Sequence, residues 1–107
     1  MKRGDLVTVV IQGDIGKPRP ALVIQADAFS EHPSVTIIPT TGTLVDAPLM
    51  RVPVQPDPTN GLREETHIMI DKIVTIRREK IGVVFGQLDK ETLAQVDRLL
   101  AVFLGIV

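Results

Sequence analysis

The 107-residue chain predicts a small, mostly antiparallel β-barrel with one helix packed on it. Two observations carry that expectation. Short β-branched runs recur along most of the length, each closed by Gly- or Pro-containing loops. Near the end the apolar period changes from two to between three and four. The size suits one domain, residues 1–107, with a single modest core.

Leu6 to Ile11 is rich in β-branched residues and reads as the first strand. Gln12 to Pro18 is a loop, and Pro20 to Gln25 is a second strand, apolar enough to be buried on both faces. Ala26 to Pro33 connects it, with room for one helical turn, to Val35–Ile38, a third strand closed by Pro39. Thr40 to Pro48 reads as loop. Met50 to Val54 is a fourth strand, and Pro53 marks it as a strand end or sheet edge. Gln55 to Gly61 is the strongest turn signal present. Thr66 to Ile70 forms a fifth strand, and Val83 to Phe85 a short sixth. Leu93, Val96, Leu100 and Phe103 then recur at helical spacing, so Asp89 to Leu104 is an amphipathic helix with Asp89 as N-cap and Gly105 as stop.

Composition narrows function by exclusion. Twelve basic and thirteen acidic residues leave a net charge of −1, so any phosphate site must be a local patch. No cysteine is present, which removes thiolate chemistry and suits a reducing cytoplasm. Met1 to Asp5 lacks the apolar core of a signal peptide, and no run reaches membrane-spanning length. The only aromatics are three phenylalanines, a thin supply for a base-stacking platform. His32 and His67 are the only histidines, neither in a ligand-spaced cluster, so no metal site or cofactor is expected. Ser30 and Ser34 are the only serines, and neither sits in a nucleophile elbow.

What remains is a run in which two prolines clamp one arginine, Gly16-Lys17-Pro18-Arg19-Pro20, just before the second strand. Proline fixes its own φ and pushes its predecessor out of the helical region, so the backbone around Arg19 is extended and stiff. A guanidinium held there is a rigid fork suited to a phosphate; a solvated surface arginine is the plainer alternative. Thr40 and Thr41 follow Pro39, and a hydroxyl there can donate to a phosphate oxygen or simply belong to a turn. Lys72, Arg77, Arg78 and Lys80 form either a solvated turn or a track for a nucleic-acid backbone.

The order of segments resembles the MazF/PemK (Kid-like) toxin endoribonucleases. Lys2-Arg3-Gly4-Asp5-Leu6-Val7 is similar to that family's opening, and Gly16 to Ile24 to its arginine-proline motif with the apolar strand that follows. Ile37-Ile38-Pro39-Thr40-Thr41 resembles its third-strand end, and His67 to Ile76 its segment with an acid followed by Thr-Ile. The closing helix also fits, so the likeness covers nearly the whole chain. The resemblance implies an SH3-like β-barrel with short helices, a homodimer, and neutralisation by a cognate MazE/PemI-like antitoxin. It implies sequence-selective, metal-independent cleavage of single-stranded RNA in the cytoplasm, through 2′-hydroxyl attack that leaves a 2′,3′-cyclic phosphate and a 5′-hydroxyl. Arg19 and Thr40 match the family's catalytic arginine and threonine, and Asp71 an acid implicated in some members. Those members carry an arginine two residues before the acid, where this chain has Met69, and some have a histidine in the first loop, which this chain lacks. RNA contacts are expected from Gln12, Asp14, Lys17, Thr41, Lys72 and Arg77. Two rival readings are a CcdB-like toxin that poisons gyrase and a non-catalytic SH3-like binding module. The chain ends without a tryptophan for the first, and three phenylalanines make a thin lining for the aromatic groove of the second.

Overall fold

The computed structural model describes residues 1–10 and 17–107. Seven strands precede a single α-helix: β1 (Asp5–Val9), β2 (Arg19–Val23), β3 (Ser34–Thr41), β4 (Arg51–Val54), β5 (Thr66–Met69), β6 (Val74–Arg77), β7 (Ile81–Gln87) and α1 (Lys90–Leu104). All pairings are antiparallel, in the order β4-β5-β3-β2-β1-β7 with β6 also on β3. The outermost strands of that path, β4 and β7, share no ladder among the described residues, so the sheet is bent but open.

β3 is the pivot. The expectation that Pro39 closes this strand is corrected: pairing continues through Pro39 to Thr41. On one edge β6 pairs residues 34–37 and β5 pairs residues 40–41. Pro39 falls in the gap between those partners, where a residue without an N–H costs the ladder least. β6 itself corrects the reading of the segment after Asp71 as a turn: Val74, Thr75 and Ile76 are β-branched and find a ready edge on β3. The sixth expected strand is longer than Val83–Phe85, because β7 runs along β1 through two register shifts. The fifth is shorter, since Ile70–Lys72 turns into a 3-10 helix. Pro53 does sit, exposed, on the edge strand β4.

Both faces of the central strands are buried, as the composition of β2 predicts. Leu6, Leu22 and Ile38 join Val52, Val54, Ile68, Ile70, Val96 and Leu100 in one core under α1. Val7, Val9, Ala21, Val23, Val35 and Ile37 form a second core on the opposite face, edged by Ile76 and Ile81. Period-two strands with apolar residues on both sides can serve two cores at once.

The helix boundaries agree with the sequence. The Asp89 carboxylate accepts from the Thr92 backbone N–H at 2.9 Å and from its hydroxyl at 2.7 Å, and Gly105 ends α1 in the left-handed region at φ 73°. Phe103, expected on the inward stripe, is 42% exposed, with Val102 and Leu104 also open to solvent. No helix among the described residues is long and apolar enough to cross a membrane.

Candidate active site

Arg19 begins β2, and Thr40 lies near the end of β3, its immediate neighbour. The ladder pairs Ala21 with Pro39, and continuing it by one step sets Pro20 beside Thr40. The Thr40 hydroxyl donates to the Pro20 carbonyl at 2.9 Å. Thr40 is buried and Arg19 is exposed, so a fixed hydroxyl stands next to the root of a surface arginine. Both residues line one cleft of about 980 Å³. That volume lies at the upper end of ligand-binding clefts.

The remaining walls come from four places. Thr41 ends β3, with Gly42 and Thr43 after it; Thr8 and Phe85 come from β1 and β7; Gly61 to Glu64 arrive from the loop before β5; and Thr66 and Met69 belong to β5 itself. That loop is built on Asp57 and Asn60. Asp57 Oδ1 accepts from the N–H groups of Thr59 and Asn60, while the buried Asn60 amide bonds the Gln55 carbonyl and the N–H groups of Asp57 and Leu62. The charged side chains among the described lining residues are Arg19, Arg63 and Glu64. Among the described lining residues two cations stand against one carboxylate, on a chain whose net charge is −1. Phe85 is the one aromatic face among them, with Leu62, Met69 and two prolines as apolar walls.

The other sequence-predicted residues fall in different places. Thr41 is in the cleft, where its hydroxyl accepts from the Thr43 N–H at 3.1 Å. Lys17 is exposed two residues before Arg19. Gln12 and Asp14 lie outside the described residues. Asp71 is not part of the lining; it sits in the 3-10 helix and pairs with Lys72 at 3.5 Å. Arg77 pairs with Ser34 at the far end of β3, roughly 20 Å along the strand from Thr40, and its guanidinium meets Glu79 at 3.6 Å. Arg78 is anchored to the His32 carbonyl. His67 is buried on β5 outside the cleft, its Nδ1 without a hydrogen-bond partner. No group of three His, Cys, Asp or Glu residues is arranged for a metal ion among the described residues.

Leu62, Arg63, Glu64 and Phe85 were not singled out by sequence reasoning. The available signal was positional: Arg63 and Glu64 are charges set directly after the strongest turn, on a short tether to a buried strand.

A mainly antiparallel sheet with one C-terminal helix, carrying an arginine and a threonine on adjacent strands over one cleft, defines a small β fold with a site suited to an anionic ligand. The chain belongs to the family of PemK-like, MazF-like toxins of type II toxin–antitoxin systems, whose model matches residues 2–104. It is 43% identical over 107 residues to a protein of Mycolicibacterium smegmatis named as a probable endoribonuclease MazF, covering 99% of this chain and 98% of that one. Among solved structures, it resembles a mycobacterial endoribonuclease in complex with its cognate antitoxin, with TM-score 0.81, 21% identity and coverage of 100% and 97%. A MazE–MazF complex of Deinococcus radiodurans superposes with TM-score 0.78 at 22% identity, covering 98% of this chain and 95% of that one. At these identities the structural matches speak to the fold.

Proposed function

We propose that this toxin is an endoribonuclease that cuts single-stranded RNA without a metal ion, at sites selected by sequence. The ribose 2′-hydroxyl attacks the adjacent phosphorus, leaving a 2′,3′-cyclic phosphate and a 5′-hydroxyl. The observation that carries this reading is the shared cleft of Arg19 and Thr40, two residues brought together across β2 and β3.

The Arg19 guanidinium donates to the non-bridging oxygens, and those bonds strengthen as negative charge grows on the phosphorane. Thr40 holds the Pro20 carbonyl, and through it the strand start from which Arg19 projects. A hydroxyl has one hydrogen to give, so Thr40 works first as a positioning residue; a phosphate oxygen receives that hydrogen only if the bond to Pro20 is exchanged. Thr41 and Lys17 flank the bound strand, and Gln12 and Asp14, a few residues earlier in the sequence, read base edges. Lys72 and Arg77 lie beyond the cleft and contact only RNA that extends well past the cut, and Asp71 acts at most through Lys72.

The same reading includes a cytoplasmic homodimer with an SH3-like barrel in each subunit, and an antitoxin of the MazE/PemI kind that covers the cleft. The exposed Val102, Phe103 and Leu104 are the apolar surplus that a partner would bury.

The test is incubation of the purified chain with mixed-sequence RNA in EDTA, followed by mapping of both new ends. Cyclic phosphate and 5′-hydroxyl ends at a recurring sequence are expected. Cutting of a substrate with a 2′-deoxy sugar at the scissile position, or full activity in Arg19→Ala, would overturn the reading.

A further inference from the structure

Arg19 and Thr40 leave one chemical role unfilled. Attack by the 2′-hydroxyl needs a proton acceptor, and a guanidinium stays protonated in proteins. Among the described residues of the cleft, Glu64 is the only carboxylate, and no histidine lines it.

Its position is defined by a close approach. A Cβ built on Gly42 would lie 2.5 Å from Glu64 Oε1 and 3.3 Å from Cδ, so the carboxylate rests over the Gly42 backbone. Gly42 comes two residues after Thr40, roughly 7 Å further along the chain. The attacking 2′-oxygen lies beside the phosphate, about 3 Å from phosphorus in a near-attack geometry. Its base stands about 3 Å from that oxygen. The base therefore belongs within about 6 Å of a phosphate bound at Arg19 and Thr40, the neighbourhood in which Glu64 sits. The Glu64 carbonyl accepts from the Thr66 hydroxyl at 2.9 Å, and the Asn60 turn anchors the other side of the loop. Among the described residues, the charged groups that line the cleft with Glu64 are Arg19 and Arg63.

We infer that Glu64 is the general base of the reaction. This rests on the 2′-hydroxyl reading above. The 2′-hydroxyl proton passes to the Glu64 carboxylate while the O2′–P bond forms and the P–O5′ bond breaks. The departing 5′-oxygen takes a proton from water, and the protonated Glu64 neutralises the hydroxide left behind. The net change is a transesterification with no gain or loss of protons. Gly42 is the residue that makes room for the carboxylate.

Glu64→Gln keeps the shape of this exposed side chain and removes its basicity, and an unchanged melting curve verifies the fold. On an oligonucleotide carrying a mapped cut site, single-turnover cleavage should fall roughly a hundredfold or more. Affinity for the 2′-deoxy analogue should stay within about threefold, so the loss lies in chemistry and not in binding. The acidic limb of the wild-type pH–rate profile should vanish. A 5′-bridging phosphorothiolate, whose leaving group needs no proton, should remain slow in the variant.

Cleavage by Glu64→Gln within about threefold of wild type would overturn the inference. So would a loss confined to binding, or recovery on the phosphorothiolate, which would make Glu64 an acid instead. In each of those cases an inert 2′-deoxy substrate and an inert Arg19→Ala leave the 2′-hydroxyl reading standing; cutting of the 2′-deoxy substrate removes both.

Discussion

The Thr40 hydroxyl gives its hydrogen to the Pro20 carbonyl at 2.9 Å, tying the end of β3 to the start of β2. This bond spans 20 residues of sequence and sets the root of Arg19 against the cleft. Thr40→Val removes the donor and keeps the shape. We expect a stability loss of about 1–2 kcal/mol by urea unfolding, together with slower cleavage. Thr40→Ser keeps the donor and should retain most of both.

Arg19 presents a planar fork from an exposed position. Arg19→Lys keeps the charge and loses the paired donors, so RNA cleavage should fall on the order of a hundredfold. Thermal stability should move by no more than about 0.5 kcal/mol. A lysine variant with wild-type kcat would show that charge alone suffices.

Gly86 lies under the turn that delivers Arg63 and Glu64. A Cβ there would stand 2.0 Å from the Asn60 carbonyl oxygen and 2.4 Å from its carbon, both backbone atoms that cannot swing away. Gly86→Ala should therefore destabilise by about 1–3 kcal/mol or more. It should also lower activity, because the displaced turn carries part of the cleft wall. Calorimetry and a cleavage assay on the same preparation read both effects.

The Thr92 hydroxyl, and after it the Thr92 N–H, holds the Asp89 carboxyl below its ordinary value. A depressed folded pKa adds stability above the unfolded value and loses it as pH falls through the folded one. Asp89→Ala should cost about 1 kcal/mol at neutral pH. The gap between variant and wild type should close as the pH drops below the carboxylate range. A gap that widens on acidification would contradict the cap.

Local signals were legible where one short segment decides its own conformation. The cap at Asp89, the stop at Gly105, the turn ending at Gly61 and the doubly apolar β2 all follow from neighbours within a few residues. Pro39 misled because its cost depends on what lies on the adjacent edge, and that edge is a gap between β5 and β6. Val74 to Arg77 was obscured by its flanking charges, although its β-branched residues needed only an unpaired edge to become a strand. Phe103 fell on the helical period and still lies outside the core, which on α1 ends at Leu100.

The chain's order of residues alone determined the strand-rich class, the terminal helix, and Arg19 and Thr40 as the pair to watch. Periodicity, proline stiffness and capping are short-range, so they can be read in one dimension. Only the tertiary structure decided that Glu64 lines the cleft while Asp71 stays on a separate 3-10 turn. Glu64 reaches Gly42 because a buried Asn60 folds the intervening loop back onto Gly86. A contact of that kind depends on which backbones meet across the sheet, and no local pattern in the sequence encodes it.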